Sequence, residues 1–306
     1  MHGFAEALRA HPDYFLHSAL HAAVELGLPE KLQVPRSLEA LADENRWSHP
    51  RLQALLRAAQ DLAWVREAPT GWWQWQHLGP LPPPPIRQHW GCLAEVIVSD
   101  RPVDVADHQE AYQRSMALAH GPAATAWAQR WAATLPAQGH VLDVGAGLGT
   151  WSLALVTALE PWHATQVDRE PLADLAGTHP RVQRCVADAA ALPSLPRADL
   201  AIAAHLLHHL GDEDCERCLQ QLRLAVRPGG WISIVEVFEL DGQPSPSVAR
   251  WFDLDMALYS PAGRVRPLDE VLAFLARAGC PNPMWRLVDA AASVAEVYGQ
   301  VTSDET

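Results

Sequence analysis

Nothing in the 306 residues approaches the run of about 20 apolar residues that a membrane-spanning helix needs, so no membrane partner is expected. Positive charge is scarce: 23 Lys and Arg stand against 36 Asp and Glu, a formal net charge of −13. That balance argues against a chain built to hold nucleic acid or an anionic membrane surface. Cysteine is sparse and odd in number, five residues, which suits reduced thiols in the cytoplasm rather than a disulfide framework. Cys215 and Cys218 form a Cys-x-x-Cys, but no second pair stands at zinc-ribbon spacing. Both fall inside a helical pattern, Asp212 to Val226, and read as ordinary helix thiols. The amino terminus, Met-His-Gly-Phe-Ala-Glu, lacks a basic segment followed by an apolar core, so no secretory signal is expected. What remains, 49% hydrophobic and 19% charged residues, is the make-up of a globular protein with room for about two domains.

The most informative stretch runs from His140 to Trp151, His-Val-Leu-Asp-Val-Gly-Ala-Gly-Leu-Gly-Thr-Trp. Val141, Leu142 and Val144 suit a strand buried on both faces. Gly145 to Gly149 then make a turn poor in side chains, and Trp151 to Leu159 has helical apolar spacing. Bare backbone allows close approach of a ligand, and a helix start offers unpaired N–H groups. The dinucleotide fingerprint wants a glycine at the sixth position of the loop, where Thr150 stands, so it fits poorly. Gly-x-Gly-x-Gly after Val-Leu-Asp143 is instead similar to the first motif of class I S-adenosylmethionine (SAM) methyltransferases.

Two acidic residues follow in order. Asp168 ends a second strand, where its carboxylate could accept from both ribose hydroxyls. Asp188 ends a third, Val182 to Ala187, as a candidate acceptor for the adenine amino group. All three features would then line the carboxyl edge of one parallel sheet, where ligands of such folds bind.

The remaining pattern gives the organisation. Strands are predicted at 141–144, 163–167, 182–187, 199–204, 231–237, 284–288 and 293–298, with helices at 151–159, 212–226 and 268–278. No helix separates the last two strands, so one should run antiparallel. Residues 108–135 read as one or two helices leading into the glycine-loop strand. Towards the amino terminus, helices are predicted at 11–28, 38–45 (capped by Ser37) and after Ser48, followed by a β-hairpin turning at Pro69-Thr70-Gly71. Trp72, Trp73 and Trp75, among 13 tryptophans, read as hairpin packing. Three helices and a hairpin suggest a winged helix, and with it DNA binding. Through residue 80, however, seven basic residues face nine acidic ones and no basic stripe forms, so dimerisation through the first helix is the better reading. Gly79 to Pro85 is a stiff linker. The expected domains are thus 1–85, a helical linker and pocket segment at 86–135, and a cofactor domain at 136–306.

After the fourth strand come His205, His208 and His209. A methyltransferase acting on a hydroxyl must strip its nucleophile of a proton, and a neutral imidazole can do this near pH 7. His205 reads as a packing or cofactor-flanking residue and His209 as packing or solvent-facing. A metal reading would join His205 and His209 to Asp212 or Glu213; nothing else in the sequence supports it, and no metal is expected.

Over nearly its full length the chain resembles the small-molecule O-methyltransferase family of plant phenolic and bacterial natural-product enzymes. Leu20 to Leu28 is similar to the family's dimerisation helix, Val141 to Gly149 to its SAM loop, and Leu207 to Glu213 to its Leu-His-Asp-Trp-x-Asp-Glu segment. Pro228 to Glu236 and Phe252 to Met256 also match. The resemblance implies a Rossmann-like, seven-stranded α/β SAM-binding domain joined to an N-terminal all-helical winged-helix dimerisation domain. It implies His208 as general base with Glu236 orienting it, and Asp143, Gly145, Gly147, Gly149, Asp168, Asp188 and His205 around SAM. Met116, Trp251, Asp255, Met256 and Tyr259 would line the acceptor pocket, and the product would be a methylated hydroxyl of a small, aromatic secondary metabolite made by a cytoplasmic homodimer. Three features depart from the family: Val265 replaces a Glu that supports the base, His209-Leu210 replaces Asp-Trp, and the segment between the winged helix and the SAM domain is short. These departures leave open a SAM-using enzyme of the same fold that moves no methyl group, and, on the winged helix, a ligand-sensing regulator.

Overall fold

The computed structural model describes residues 22–24, 26–61, 63–68, 71–76, 96, 98–99, 101–103, 109–169, 175, 177–240, 248–260, 262–290 and 292–302. Residues 11–21 of the helix expected over 11–28, and the linker Gly79–Pro85, lie outside them. The chain divides into two compact units, Met1–Gln88 and His89–Thr306.

In the first unit, Gly27 adopts a left-handed φ of 65° and ends the opening segment before α1 (Leu28–Lys31). Ser37 Oγ accepts the Ala40 N–H at 3.1 Å and caps α2 (Leu38–Asn45), as its position predicts. α3 (His49–Asp61) follows. The hairpin forms from β2 (Val65–Glu67) and β3 (Trp72–Trp75), and a short β1 (Arg36–Ser37) adds to β3. The unit is therefore not all-helical: it carries a three-stranded sheet of order β1-β3-β2. A two-residue strand has no periodicity to read, which is why the sequence pattern missed it. Trp73 packs inward while Trp72 is exposed. Ala23 and Leu28, the described end of the expected dimerisation helix, are buried in the unit's own core.

The second unit is built on a seven-stranded sheet of order β6-β5-β4-β7-β8-β10-β9. Its strands are β4 (Gly139–Val144), β5 (Trp162–Asp168), β6 (Val182–Val186), β7 (Ala198–Ala204), β8 (Val226–Val237), β9 (Met284–Asp289) and β10 (Val294–Gln300). The first five strands in that spatial order are parallel. β10 runs antiparallel to both β8 and β9, as the missing helix requires. The strand order reverses between β4 and β7, and such a switch point opens a crevice at the carboxyl ends. α5 (Thr150–Ala158), α6 (Asp212–Ala225), α7 (Val248–Tyr259) and α8 (Leu268–Arg277) complete the unit with α4 (Gln109–Ala132). Among the described residues no helix is long and apolar enough to cross a membrane.

The two faces of the sheet are packed differently. One is aliphatic, with Leu219, Leu222, Leu275 and the wholly buried thiols of Cys215 and Cys218. Burial pushes both thiols up to about 12, so they are inert packing groups, as read from the sequence. The other is rich in tryptophan, and there Glu296 is fully buried. Its carboxylate accepts from Trp127 Nε1 (2.9 Å), Trp131 Nε1 (2.7 Å) and Ser233 Oγ (2.6 Å) and pairs with Arg286 Nε (2.5 Å). A buried charge survives only when paired in this way, and this one fastens the second half of α4 to the sheet.

Candidate functional site

The loop after β4 is shaped by backbone. Gly145, Gly147 and Gly149 have φ of 72°, 54° and 79°, a region costly for any residue with a Cβ. The space is tight too, and side chains would have to shift to admit one. An added Cβ would lie 1.9 Å from Gln166 Nε2 at Gly149 and 2.6 Å from Gln113 Oε1 at Gly147. Gln113, on α4, is a neighbour of the loop that sequence reading missed, because nothing local links position 113 to position 147.

Asp168 turns into this loop: Oδ2 accepts the Gly147 N–H at 2.5 Å and Oδ1 the Arg169 N–H at 2.7 Å. Burial raises its pKa, and the two N–H bonds oppose that rise. Asp188 lies at the same sheet edge, since Ala187 N–H donates to Asp168 O at 3.0 Å, and its carboxylate is exposed while accepting the Ala190 N–H. Asp143 departs from its expected place. It is buried, and Oδ2 accepts from Ser152 Oγ (2.5 Å) and Ser152 N–H (3.2 Å). It ties β4 to the start of α5 beneath the loop and does not face a ligand. Desolvation raises its pKa to about 6, against the pull of Ser152.

Beyond β7 the chain makes a 3-10 turn, Leu207–His209. His208 and Glu236 are both buried, with His208 Nδ1 2.6 Å from Glu236 Oε2. Glu236 Oε1 accepts the Leu207 N–H at 2.7 Å, so one carboxylate holds both the imidazole and the turn that carries it. A carboxylate only accepts, which puts the proton on Nδ1 and leaves Nε2 of His208 with the lone pair. That lone pair faces His209 Nε2 at 3.1 Å. Phe252 stands edge-on to the His208 ring at 4.8 Å between centroids.

Arg266, buried, was also missed. Its guanidinium donates to Leu207 O (2.6 Å), Leu210 O (2.7 Å) and Asp212 Oδ1 (2.9 Å), bracing the histidine turn. Arg266 holds the Asp212 carboxyl below its usual range. The metal set read from the sequence does not form, because Asp212 is engaged by Arg266 and Arg264. Ring nitrogens of His205 and His208 and the Glu236 carboxylate lie instead within 4.8 Å of one another. Val265, where the resemblance leads one to expect a Glu, packs like Phe252 against the apolar layer and supplies no carboxylate to His208.

His205 has a left-handed φ of 53°, and its N–H donates to Val235 O at 2.8 Å. Its ring centroid lies 4.0 Å from that of His120, on α4, a residue that no local pattern singles out. Both imidazoles have lowered pKa values, chiefly through desolvation and then through their histidine neighbours. His209, whose outer face is exposed, is lowered for the same reasons, with Arg169 contributing. Of the expected acceptor-pocket residues, Met256 on α7 is buried, and Met116, Asp255 and Tyr259 are half-buried. The side chain of Trp251 lies outside the described residues.

This arrangement of loop, acids and dyad can be set beside known proteins. The family defined as O-methyltransferase domain matches residues 108–281, more than half of the chain, and the chain belongs to that family. The mitomycin biosynthesis 6-O-methyltransferase of Streptomyces lavendulae is 26% identical over 308 residues, covering 85% of this chain and 84% of that one. Acetylserotonin O-methyltransferase of Mus musculus is 38% identical over 109 residues, 36% of this chain but only 28% of the mouse enzyme's length. The crystal structure of human N-acetylserotonin methyltransferase in complex with SAM superposes with a TM-score of 0.79, at 18% identity, over 99% of this chain and 98% of the other. The Rossmann-like fold is thereby established.

Proposed function

We propose that the chain is a SAM-dependent methyltransferase that methylates a hydroxyl of a small aromatic metabolite. The observation that carries this reading is the buried His208–Glu236 pair, which leaves Nε2 of the imidazole as a base at the carboxyl edge of the sheet. The residues fit the cofactor. Three left-handed glycines make a loop of bare backbone, and Asp168 is folded into it. Gly145, Gly147 and Gly149 would hold the methionine part, Asp168 the ribose and Asp188 the adenine. Bound SAM supplies a methyl group already activated by its sulfonium, so the protein's task is positioning and proton removal. Once an acceptor hydroxyl replaces His209 Nε2 as its neighbour, His208 Nε2 would take the hydroxyl proton. The Glu236 carboxylate then faces the imidazolium and stabilises it, and Arg266 keeps the turn in register.

The test is incubation with methyl-labelled SAM and a panel of hydroxyarenes. Labelled product and S-adenosylhomocysteine in equal amounts are expected. Methylthioadenosine, or a product altered without gaining a methyl, would replace this reading with the non-methyl one. The first unit is proposed as a homodimerisation module in the cytoplasm, supported by its lack of a basic stripe. Sedimentation should give twice the chain mass, and salt-sensitive duplex binding at low ionic strength would favour the regulator.

A further inference from the structure

His208 Nε2, the nitrogen that would face an acceptor, already has a neighbour in His209 Nε2 at 3.1 Å. The two rings are 4.2 Å apart between centroids and inclined at 60°, so they do not stack in parallel. The far side of the His208 ring decides where the hydrogen lies. Glu236 holds the proton on His208 Nδ1, so Nε2 offers a lone pair and His209 Nε2 must carry the hydrogen between them. His209 has one proton to place, since burial, His208 and Arg169 together push its pKa down to about 3. Its main chain is held at both ends: the N–H donates to Leu206 O at 3.0 Å, and the carbonyl accepts from Ser260 Oγ at 3.2 Å. Its ring is held only at His208 among the described residues, and the residue is exposed where His208 and Glu236 are buried. Rotation of one side chain therefore frees the base without unfolding the turn.

Resting on the methyltransferase reading, we propose that His209 is a displaceable cap on the base: its Nε2–H stands where the acceptor hydroxyl goes and keeps the His208 lone pair bonded until an acceptor replaces it. The exchange puts one donor in place of another at the same lone pair. No buried polar atom is left unpaired, and the released N–H meets water because His209 is exposed. The other groups at His208 cannot serve as the cap. Phe252 carries no donor, Glu236 only accepts, and the His205 ring lies 6.1 Å away between centroids. His209 is thus a positioning residue that acts through His208. The resemblance leads one to expect Asp at this place, and an ionised carboxylate has no hydrogen to give a lone pair. The cap is a property of this chain's own histidine.

The experiment has two arms, both on the full chain saturated with S-adenosylhomocysteine. In the first, nitrogen NMR of the histidine-labelled chain reads the tautomers, with signals assigned by comparison with His208→Gln and His209→Phe chains. His209 should carry its proton on Nε2 and His208 on Nδ1. A proton on Nδ1 of His209, or protons on both nitrogens of His208, overturns the proposal. In the second arm, calorimetry measures the affinity for 2-naphthol. Removing the cap in His209→Ala should tighten binding roughly two- to tenfold, the worth of one neutral hydrogen bond. His209→Phe, which keeps a ring but has no N–H, should shift affinity in the same direction and serves should the Ala variant not fold. Unchanged or weaker binding in both variants, or no binding to any of the three proteins, overturns the cap as a stand-in for the acceptor. Neither arm needs turnover, so failure of methyl transfer in the labelled assay is a separate result.

Discussion

The two halves of the sheet's carboxyl edge are built by different means. On the β4–β5 side the work falls to backbone: three glycines at positive φ, one N–H of which is held by Asp168. On the β7–β8 side it falls to side chains brought from distant parts of the chain. Glu236 holds His208, Arg266 braces the turn, and His120 meets His205 from α4. The first half resists substitution because its glycines are left-handed and an added Cβ would crowd the side chains of Leu206, Gln113 and Gln166. The second rests on individual side chains, each of which can be changed by itself. A fold that serves many acceptors with one cofactor benefits from that division.

Substitutions in each half should separate them. The largest expected effect is on the side-chain half: His208→Ala should lower turnover by roughly 10²–10⁴-fold while leaving S-adenosylhomocysteine affinity, measured by calorimetry, within a few-fold. A comparable loss of cofactor affinity would show that the halves are not independent. Next, Arg266→Met removes a buried guanidinium whose partners stay behind, and should destabilise the second unit by about 3–5 kcal/mol in denaturant melts.

On the backbone half, Asp143 gives a pH signature. Its pKa in the folded chain, about 6, lies above the ordinary 3.8. Its contribution to stability is therefore complete below about pH 4 and is lost as pH rises through about 6, by about 3 kcal/mol in all. Asp143→Asn should flatten that slope in melts taken between these limits. Some slope should persist, since Asp168 is shifted in the same direction. The smallest effect expected is from Gly149→Ala, about 1–3 kcal/mol of strain from the φ of 79°, read as weaker S-adenosylhomocysteine binding and a lower Tm with His208 chemistry unaltered.

The same contrast explains what the sequence made legible. The strands, the antiparallel end of the sheet, the Ser37 cap and the glycine loop all follow from local rules of periodicity, capping and turn chemistry, and each is found where those rules put it. His208 and Glu236, 28 residues apart in sequence, came from resemblance, and the structure brings them to 2.6 Å. Nothing local could reveal that Asp143 faces Ser152, that Glu296 waits beneath Trp127 and Trp131, or that Gln113 covers Gly147. These are contacts between elements, fixed only once the sheet and α4 are assembled.

Pro122 sits inside α4, between His120 and the clamped tryptophans. Lacking an N–H, it leaves the Leu118 carbonyl without its usual helical donor. The helix therefore has a weak joint midway along its length. Behind the joint, Glu296 anchors the rod to the sheet. Ahead of it, Gln113 and His120 reach over the two halves of the site. Bending at that joint would lift Gln113 from the Gly147 turn and His120 from His205 together.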